Sequence, residues 1–126
     1  MDLFANIDLM NRALDATLLK KSVISENISN VDTPNYKRKD VSFETILQKE
    51  VNANKNISNL DLNKIEPKVY VDEKSSSYRM DGNNVDIDVE MAEEAKVYAR
   101  YNALITRVNA QLNRFTTVLQ NLQMSD

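Results

Sequence analysis

The sequence of 126 residues contains no cysteine, histidine or tryptophan, and it has only one glycine. Without cysteine the chain forms no disulfide and offers no thiolate, and without histidine it lacks the commonest metal ligand. Average glycine usage of about 7% would give roughly nine glycines in a chain of this length, so Gly-rich phosphate-binding loops are excluded. These absences argue against an enzyme, and we predict no catalytic residue, no cofactor and no metal site.

An excess of one charge and long apolar runs are also missing. The 19 acidic and 16 basic side chains give a net charge of −3, which provides no field to attract nucleic acid. No stretch approaches the roughly 20 apolar residues of a membrane-spanning helix. The start, Met1-Asp2-Leu3-Phe4, lacks the basic residues and apolar run of a cleavable signal peptide. We expect neither a nucleic-acid partner nor a small-molecule substrate. If the protein is exported, we expect export without a cleaved signal peptide.

Apolar residues recur every three or four positions near the N-terminus. This spacing is typical of a helix that lies along another helix at a shallow angle. The row, with two polar members, is Leu3, Ile7, Met10, Leu14, Thr17, Lys21, Ile24, Ile28 and Val31. Asp2 is the expected N-cap. Because Pro34 disfavours helical backbone at the residue before it, the helix is predicted to end near Val31.

A second row of the same kind occupies the C-terminal third, with one polar member. It consists of Met91, Glu94, Tyr98, Tyr101, Ile105, Val108, Leu112, Phe115, Leu119 and Leu122. Acidic residues crowd its beginning and arginines follow later, an order that suits the helix dipole. Neither glycine nor proline interrupts the stretch from Val85 to Gln123. We predict one helix from about residue 87 to 123.

The middle of the chain is rich in asparagine, serine and lysine and has few large apolar residues. Residues 43–51 have helical spacing and predict a short helix, capped by Ser42 or Asp40. Residues 68–71 and 77–80 are interpreted as the two strands of a small hairpin. Asp81-Gly82 is a turn signal that uses the sole glycine. The rest of this segment is predicted to be irregular or ordered only by partners.

The predicted fold is all-α, with two long terminal helices packed as an antiparallel, coiled-coil-like pair. We expect a single domain of residues 1–126, with an N-terminal helix in 1–33, a loop region in 34–84 and a C-terminal helix in 85–126. Two helices bury one seam, but no third layer covers their flanks. We expect neighbouring chains to supply that cover, and heterologous contacts between like subunits generate rings or helical filaments.

The most informative segment follows the first helix, where asparagines, a proline and an aromatic residue precede three basic residues. It resembles the N-terminal signature of the flagellar rod and hook family, approximately A-N-N-I-A-N-x-x-T-P-G-Y-K. The residues in register, together with one departure from the signature, are Asn27, Ile28, Asn30, Thr33, Pro34, Asn35, Tyr36 and Lys37. The departure is Asn35, which replaces the usual glycine. Asparagine tolerates left-handed backbone best among the other residues, so the turn is expected to survive.

Residues 81–92 are similar to the segment that leads into the C-terminal helix in the same family, where Asn-Asn-Val-Asp precedes Glu-Met. The resemblance covers residues 1–47 and 81–124. It implies an axial structural protein of the bacterial flagellar basal body that is exported unfolded by the type III apparatus and lies outside the cytoplasmic membrane. The implied partners are copies of itself, other rod subunits including a close rod paralogue, and the basal-body base with its export apparatus.

Two functions from different classes share the helical seams. A rod subunit uses them to build a shaft, with Tyr36 and the basic run 37–39 holding the turn against a neighbour. The alternative is a cytosolic helical adaptor or chaperone that closes as a dimer. An enzyme would need a pocket with perturbed titratable groups, which the sequence does not predict.

Overall fold

The computed structural model describes residues 4–54, 56, 59–73 and 79–124. Two long helices lie at the ends of the chain, and three short elements and a 3-10 turn lie between them. The elements are α1 (Ala5–Ser29), β1 (Lys39–Ser42), α2 (Glu44–Asn54), the 3-10 turn (Leu62–Lys64), β2 (Lys68–Val71) and α3 (Ile87–Met124). Both predicted terminal helices and the predicted short helix are confirmed. Asp2 and Leu3, the expected N-cap and first member of the row, lie outside the described residues.

The limits of the long helices follow from local chemistry. α1 ends at Ser29, two residues before the predicted end, and the Asn30 N–H still donates to the Glu26 and Asn27 carbonyls. α3 begins after Asp86, whose Oδ1 accepts hydrogen bonds from the N–H groups of Asp88 at 3.0 Å and Val89 at 3.3 Å. A carboxylate in this position satisfies free N–H groups of the first turn and complements the helix dipole.

α1 and α3 pack antiparallel, as predicted. At one end the Phe4 and Phe115 rings meet edge to face, with centroids 5.6 Å apart and planes at 63°. At the other end Asn27 donates to the Glu90 carboxylate at 3.2 Å. The buried apolar core lies along and beside this contact and comprises Ala16, Val23, Ile24, Ile65, Val85 and Val97. In the described part of the chain, no helix is both long and apolar enough to cross a bilayer.

The face that α3 buries is centred on a heptad row that starts at Glu90. Glu90 and Val97 are buried, and Leu104 and Gln111, at the next two heptad positions, are half-buried. The predicted row lies to one side of this centre line. Its members Tyr101, Ile105, Val108 and Phe115 are half-buried, whereas Met91, Tyr98, Leu112 and Leu119 are exposed. The second group forms an outward row on α3.

The antiparallel pair of strands in the middle segment is confirmed, but its first strand comes from an earlier part of the chain. β2 pairs with β1, with Lys39 opposite Val71 and Ser42 opposite Lys68, and not with the described residues 79 and 80 of the predicted partner strand. Residues 77 and 78 lie outside the described residues, and residues 79–81 form a bend and a turn. Contacts of β1 with α1, among them the two hydrogen bonds between Asn27 and Lys39, hold β1 in this position.

Two valines of α3 provide a matched test of the packing. Val97 is 3% exposed and Val118, on the same helix, is 55% exposed. Val97→Ala is expected to lower the free energy of unfolding by about 2 kcal/mol, because it removes two buried methyl groups and leaves a cavity. Val118→Ala is expected to change it by less than about 0.5 kcal/mol. Chemical denaturation followed by circular dichroism measures both, and equal losses would contradict this packing.

Candidate functional site

The two segments that carry the family resemblance lie against each other. The end of α1 and the following turn contact residues 81–90 through hydrogen bonds between side chains and backbone. We call this cluster the clasp; its members are Asn27, Tyr36, Arg38, Asn83, Asn84 and Glu90. Asn27, Asn83 and Glu90 have no exposed surface, although all three are polar or charged.

Asn27 joins α1 to β1 by acting as a substitute for a neighbouring strand. Its Nδ2 donates to the Lys39 carbonyl at 2.8 Å, and its Oδ1 accepts from the Lys39 N–H at 2.9 Å. The same Oδ1 accepts from the Tyr36 hydroxyl at 3.0 Å. The carboxamide therefore satisfies the outer backbone groups of Lys39, which a further strand would otherwise bind.

Glu90 and Arg38 form an ion pair at the centre of the clasp. Arg38 Nε donates to Glu90 Oε1 at 2.7 Å, and its Nη1 donates to Asp72 at 2.6 Å. Burial of the guanidinium lowers its pKa, but the hydrogen bonds to Glu90 and Asp72 outweigh burial, so the pKa of Arg38 lies above its ordinary value. A buried carboxylate is tolerable only with such partners, and removal of one partner leaves an uncompensated charge.

Two neighbouring asparagines close the clasp from the other side. Asn83 Nδ2 lies 2.8–3.0 Å from the carbonyls of Asn30, Val31 and Thr33, in the cap and turn that follow α1. Asn84 Oδ1 accepts from the Arg38 N–H at 2.6 Å, and its Nδ2 donates to the Asp72 carbonyl at 2.8 Å. Asn83 therefore caps α1, and Asn84 links the ends of the two strands.

Two left-handed residues allow the segments to approach each other. Asn35 has φ +61°, as expected for a residue that replaces glycine, and Gly82 has φ +78°. The Asn35 N–H donates to the Asp81 carbonyl at 2.7 Å. A Cβ on Gly82 would lie 2.5 Å from Asn35 Oδ1. The turn signal at residues 81–82 is thus confirmed, and the sole glycine is required both by its backbone conformation and by close contact.

The basic run after α1 binds groups inside the chain. Lys37 donates to the Gly82 carbonyl, and Lys39 Nζ lies 2.6 Å from a Glu26 carboxylate oxygen. Burial, followed by the nearby charge of Glu26, raises the pKa of Tyr36 and keeps its hydroxyl as a donor to Asn27. All three basic residues of this run therefore have partners within the subunit.

The structure brings only part of the predicted motif into the clasp. Asn27 and Tyr36 contribute side chains, Asn30 and Thr33 contribute carbonyls, and Asn35 contributes its turn. Ile28 is half-buried and Pro34 is exposed. The predicted row of α3 lies outside the clasp.

The sequence did not single out Glu90 or Arg38. Glu90 was one of several acidic residues at the start of a helix, and Arg38 was one of three consecutive basic residues. A usable signal was that Glu90 belongs to the Glu-Met pair in the segment that resembles the family. Within the described residues, every buried side-chain nitrogen and oxygen has a partner and no acidic cluster fits a metal ion. The arrangement holds three segments together.

The buried ion pair predicts a large effect of a small substitution. Glu90→Gln is expected to lower the free energy of unfolding by about 1–3 kcal/mol, because Arg38 loses one of its two hydrogen-bonded carboxylates and keeps only that of Asp72. Glu94→Gln, one turn further along α3, removes the same charge outside the clasp and is expected to cost less than about 1 kcal/mol. Urea denaturation measures both, and a Glu90→Gln protein as stable as the Glu94→Gln protein would refute the role of the pair.

The turn predicts a second effect. Gly82→Ala is expected to lower the free energy of unfolding by about 1–3 kcal/mol, because alanine disfavours positive φ and its methyl group meets Asn35. Asn35→Gly is the matched change on the facing residue and is expected to be tolerated within about 1 kcal/mol, since glycine adopts φ +61° readily. Thermal unfolding curves of the two variants should separate clearly, and coincident curves would count against this account.

Comparison with known proteins connects this geometry to one family. The profile of the family described as "Flagella basal body rod protein" matches residues 10–37, which span most of α1 and the following turn. The chain is 38% identical over 125 residues to the flagellar basal body rod protein FlgB of Bacillus subtilis, covering 94% of this chain and 97% of that protein. It is 43% identical over 101 residues to FlgB of Borrelia hermsii, covering 68% and 74%. It is 32% identical over 123 residues to FlgB of Aquifex aeolicus, covering 95% and 97%. The chain therefore belongs to the FlgB family of flagellar basal body rod proteins.

Proposed function

We propose that this chain is a structural subunit of the bacterial flagellar basal-body rod and forms the proximal part of the drive shaft. It works as one domain of residues 1–126 and assembles through its terminal helices. Membership of the FlgB family supports the rod assignment. The structural observation that carries the mechanism is the apolar surface of α3 that α1 does not cover.

The outward row of α3 provides one part of that surface. Met91, Tyr98, Leu112 and Leu119 share one heptad position with Ile105, which is half-buried, so the five side chains form a stripe along the helix. Each of the four other than Ile105 has 45% or more of its surface exposed. A stripe of this length on one side of a helix is suited to a helix from a neighbouring subunit.

The C-terminal end of α3 provides the second part. α1 begins beside Phe115, and α3 continues to Met124, which at about 1.5 Å per residue adds roughly 13 Å of helix. Val118 and Leu119 on this extension are exposed. Burial of one such side chain contributes about 1.5–3 kcal/mol, so a few intersubunit contacts along α3 would stabilise a rigid shaft.

The clasp fixes the shape that the subunit presents. It ties the end of α1 to the start of α3, so the two helices keep one axial register when load passes along the rod. We assign the motif at residues 27–37 this internal role, because the described partners of its side chains lie within the same subunit. The same rigid register would present the outward row identically in every copy.

The proposed partners are further copies of this chain, other rod subunits including an FlgC-like paralogue, and the basal-body base with its export apparatus. The rod lies outside the cytoplasmic membrane, and we propose export without a cleaved signal peptide. The relatives, which are named as flagellar basal body rod proteins, support a non-catalytic role. They give no support to a cytosolic adaptor that closes as a dimer.

Motility tests the proposal. In cells that lack their own copy of the gene, a Leu112→Asp protein is expected to be produced and folded but to restore no swimming in soft agar. The reason is that Leu112, 45% exposed in the subunit, would place a charge in an apolar intersubunit contact.

Asn113→Asp is the matched control, because it adds the same charge at the next, exposed position of α3. It is expected to restore swimming fully. Immunoblots and circular dichroism check that both proteins are made and helical. Normal swimming with Leu112→Asp would overturn the proposal.

A further inference from the structure

The two strands of the small sheet differ sharply in how their outer edges are protected. In the part of the chain that the structure describes, the sheet contains only β1 and β2, so each strand has one outer edge. An open strand edge presents a row of backbone N–H and C=O groups to any extended segment. Natural proteins usually cover or interrupt such edges.

The edge of β1 is covered. Asn27 binds both backbone groups of Lys39, and the Val41 N–H donates to Asp40 Oδ1 at 2.7 Å. The Arg38 carbonyl accepts from the Asp72 N–H at 2.8 Å, so the backbone groups of Arg38 face the partner strand. Because backbone groups alternate in direction along an antiparallel strand, those of Lys39 and Val41 face outward. No room for a further strand remains beside Lys39.

Among the described residues nothing pairs with the outer edge of β2, and this edge is apolar. By the same alternation, Val69 and Val71 direct their backbone groups away from β1. All four residues of β2 are exposed, and Val69, Tyr70 and Val71 each show nearly half of their surface. This is a short hydrophobic edge of the kind that accepts another strand.

We propose that the β2 edge is an interface for a second copy of this chain, with the two β2 strands antiparallel about Tyr70. The sequence of β2 and the next residue, Lys68-Val69-Tyr70-Val71-Asp72, is self-complementary in this register. Lys68 of one copy lies opposite Asp72 of the other, whose carboxylate also binds Arg38 of its own subunit. Opposite charges facing each other across strands stabilise a pair.

The backbone supports the same register. Val69 of each copy lies opposite Val71 of the other, and both residues face outward, so each such pair exchanges N–H···O=C bonds. A shift by one residue would place inward-facing groups opposite outward-facing ones and break the ladder. The four valines also share one face of the resulting four-stranded sheet, where they cover one another.

This contact is isologous and closes on itself, whereas the contacts of a filament are heterologous and repeat. The pair is therefore a form of the free subunit that does not extend, distinct from the lateral contacts of α3 in the rod. Subunits would separate at β2 before or during incorporation.

Engineered disulfides test the register, because the chain has no cysteine of its own. Tyr70→Cys places two cysteines directly opposite, with Cα atoms about 4.5 Å apart, within the range that a disulfide bridges. Most of this protein is expected to run as a covalent dimer after mild oxidation at micromolar concentration. Val69→Cys is the control, since Val69 is 47% exposed against 46% for Tyr70, but two copies of residue 69 lie diagonally, about 7–8 Å apart. Equal cross-linking of both variants, or none with Tyr70→Cys, would overturn the proposal.

A charge reversal tests the same interface without cysteines. The native full chain is expected to show a concentration-dependent monomer–dimer equilibrium in sedimentation. Lys68→Glu, which turns two attractive pairs into repulsive ones, is expected to weaken dimerisation about tenfold. Lys64→Glu makes the same change at an exposed residue outside β2 and is expected to leave the equilibrium unchanged. Dimerisation that is indifferent to Lys68, or a chain that stays monomeric throughout, would refute the interface.

The pairing and the rod role fail separately. The rod role is tested by the swimming of cells that carry variants in the outward row of α3. The pairing is tested by cross-linking and sedimentation of β2 variants. Cross-linking through Tyr70→Cys with full swimming lost in Leu112→Asp supports both.

Discussion

A carboxylate without contact to water, that of Glu90, joins the beginning of α3 to the end of α1. Arg38 neutralises it and Asn27 donates to it, and these three residues come from three different elements or loops of the chain. Burial of a charge is unfavourable unless its hydrogen bonds are complete, so few alternative positions of α3 along α1 are compatible with this cluster. Apolar seams alone tolerate sliding by a heptad, whereas the clasp permits one register.

That register decides which side of α3 faces α1. With Glu90 inside, the residues at the next heptad positions, Val97 and Leu104, follow it into the contact. The neighbouring row that contains Met91 and Tyr98 then faces outward. One polar contact at the end of the pair thereby assigns the apolar residues of α3 to two tasks, packing within the subunit and contact with other subunits.

Asparagine side chains make hydrogen bonds here that backbone groups make in other proteins. Asn27 completes the edge of β1, Asn83 caps α1, and Asn84 links β1 to β2. A carboxamide carries a donor and an acceptor in the same geometry as a peptide group, so it substitutes for one without introducing charge. The abundance of asparagine, which from composition alone suggests an irregular and weakly ordered segment, here contributes ordered contacts near both ends of that segment.

Elements with local causes could be predicted from the sequence. Both long helices follow from heptad spacing and from the absence of glycine and proline, and the left-handed turn at Asn35 follows from the residue type. The tertiary structure alone decided the pairing of β2 with β1 and the burial of Glu90. Arg38 and Glu90 are 52 residues apart, and no local pattern records which of several acidic residues will meet a distant guanidinium. The choice of the buried face of α3 depends on that meeting, because a helix with two apolar rows packs equally well on either until a buried charge and its partners fix one of them.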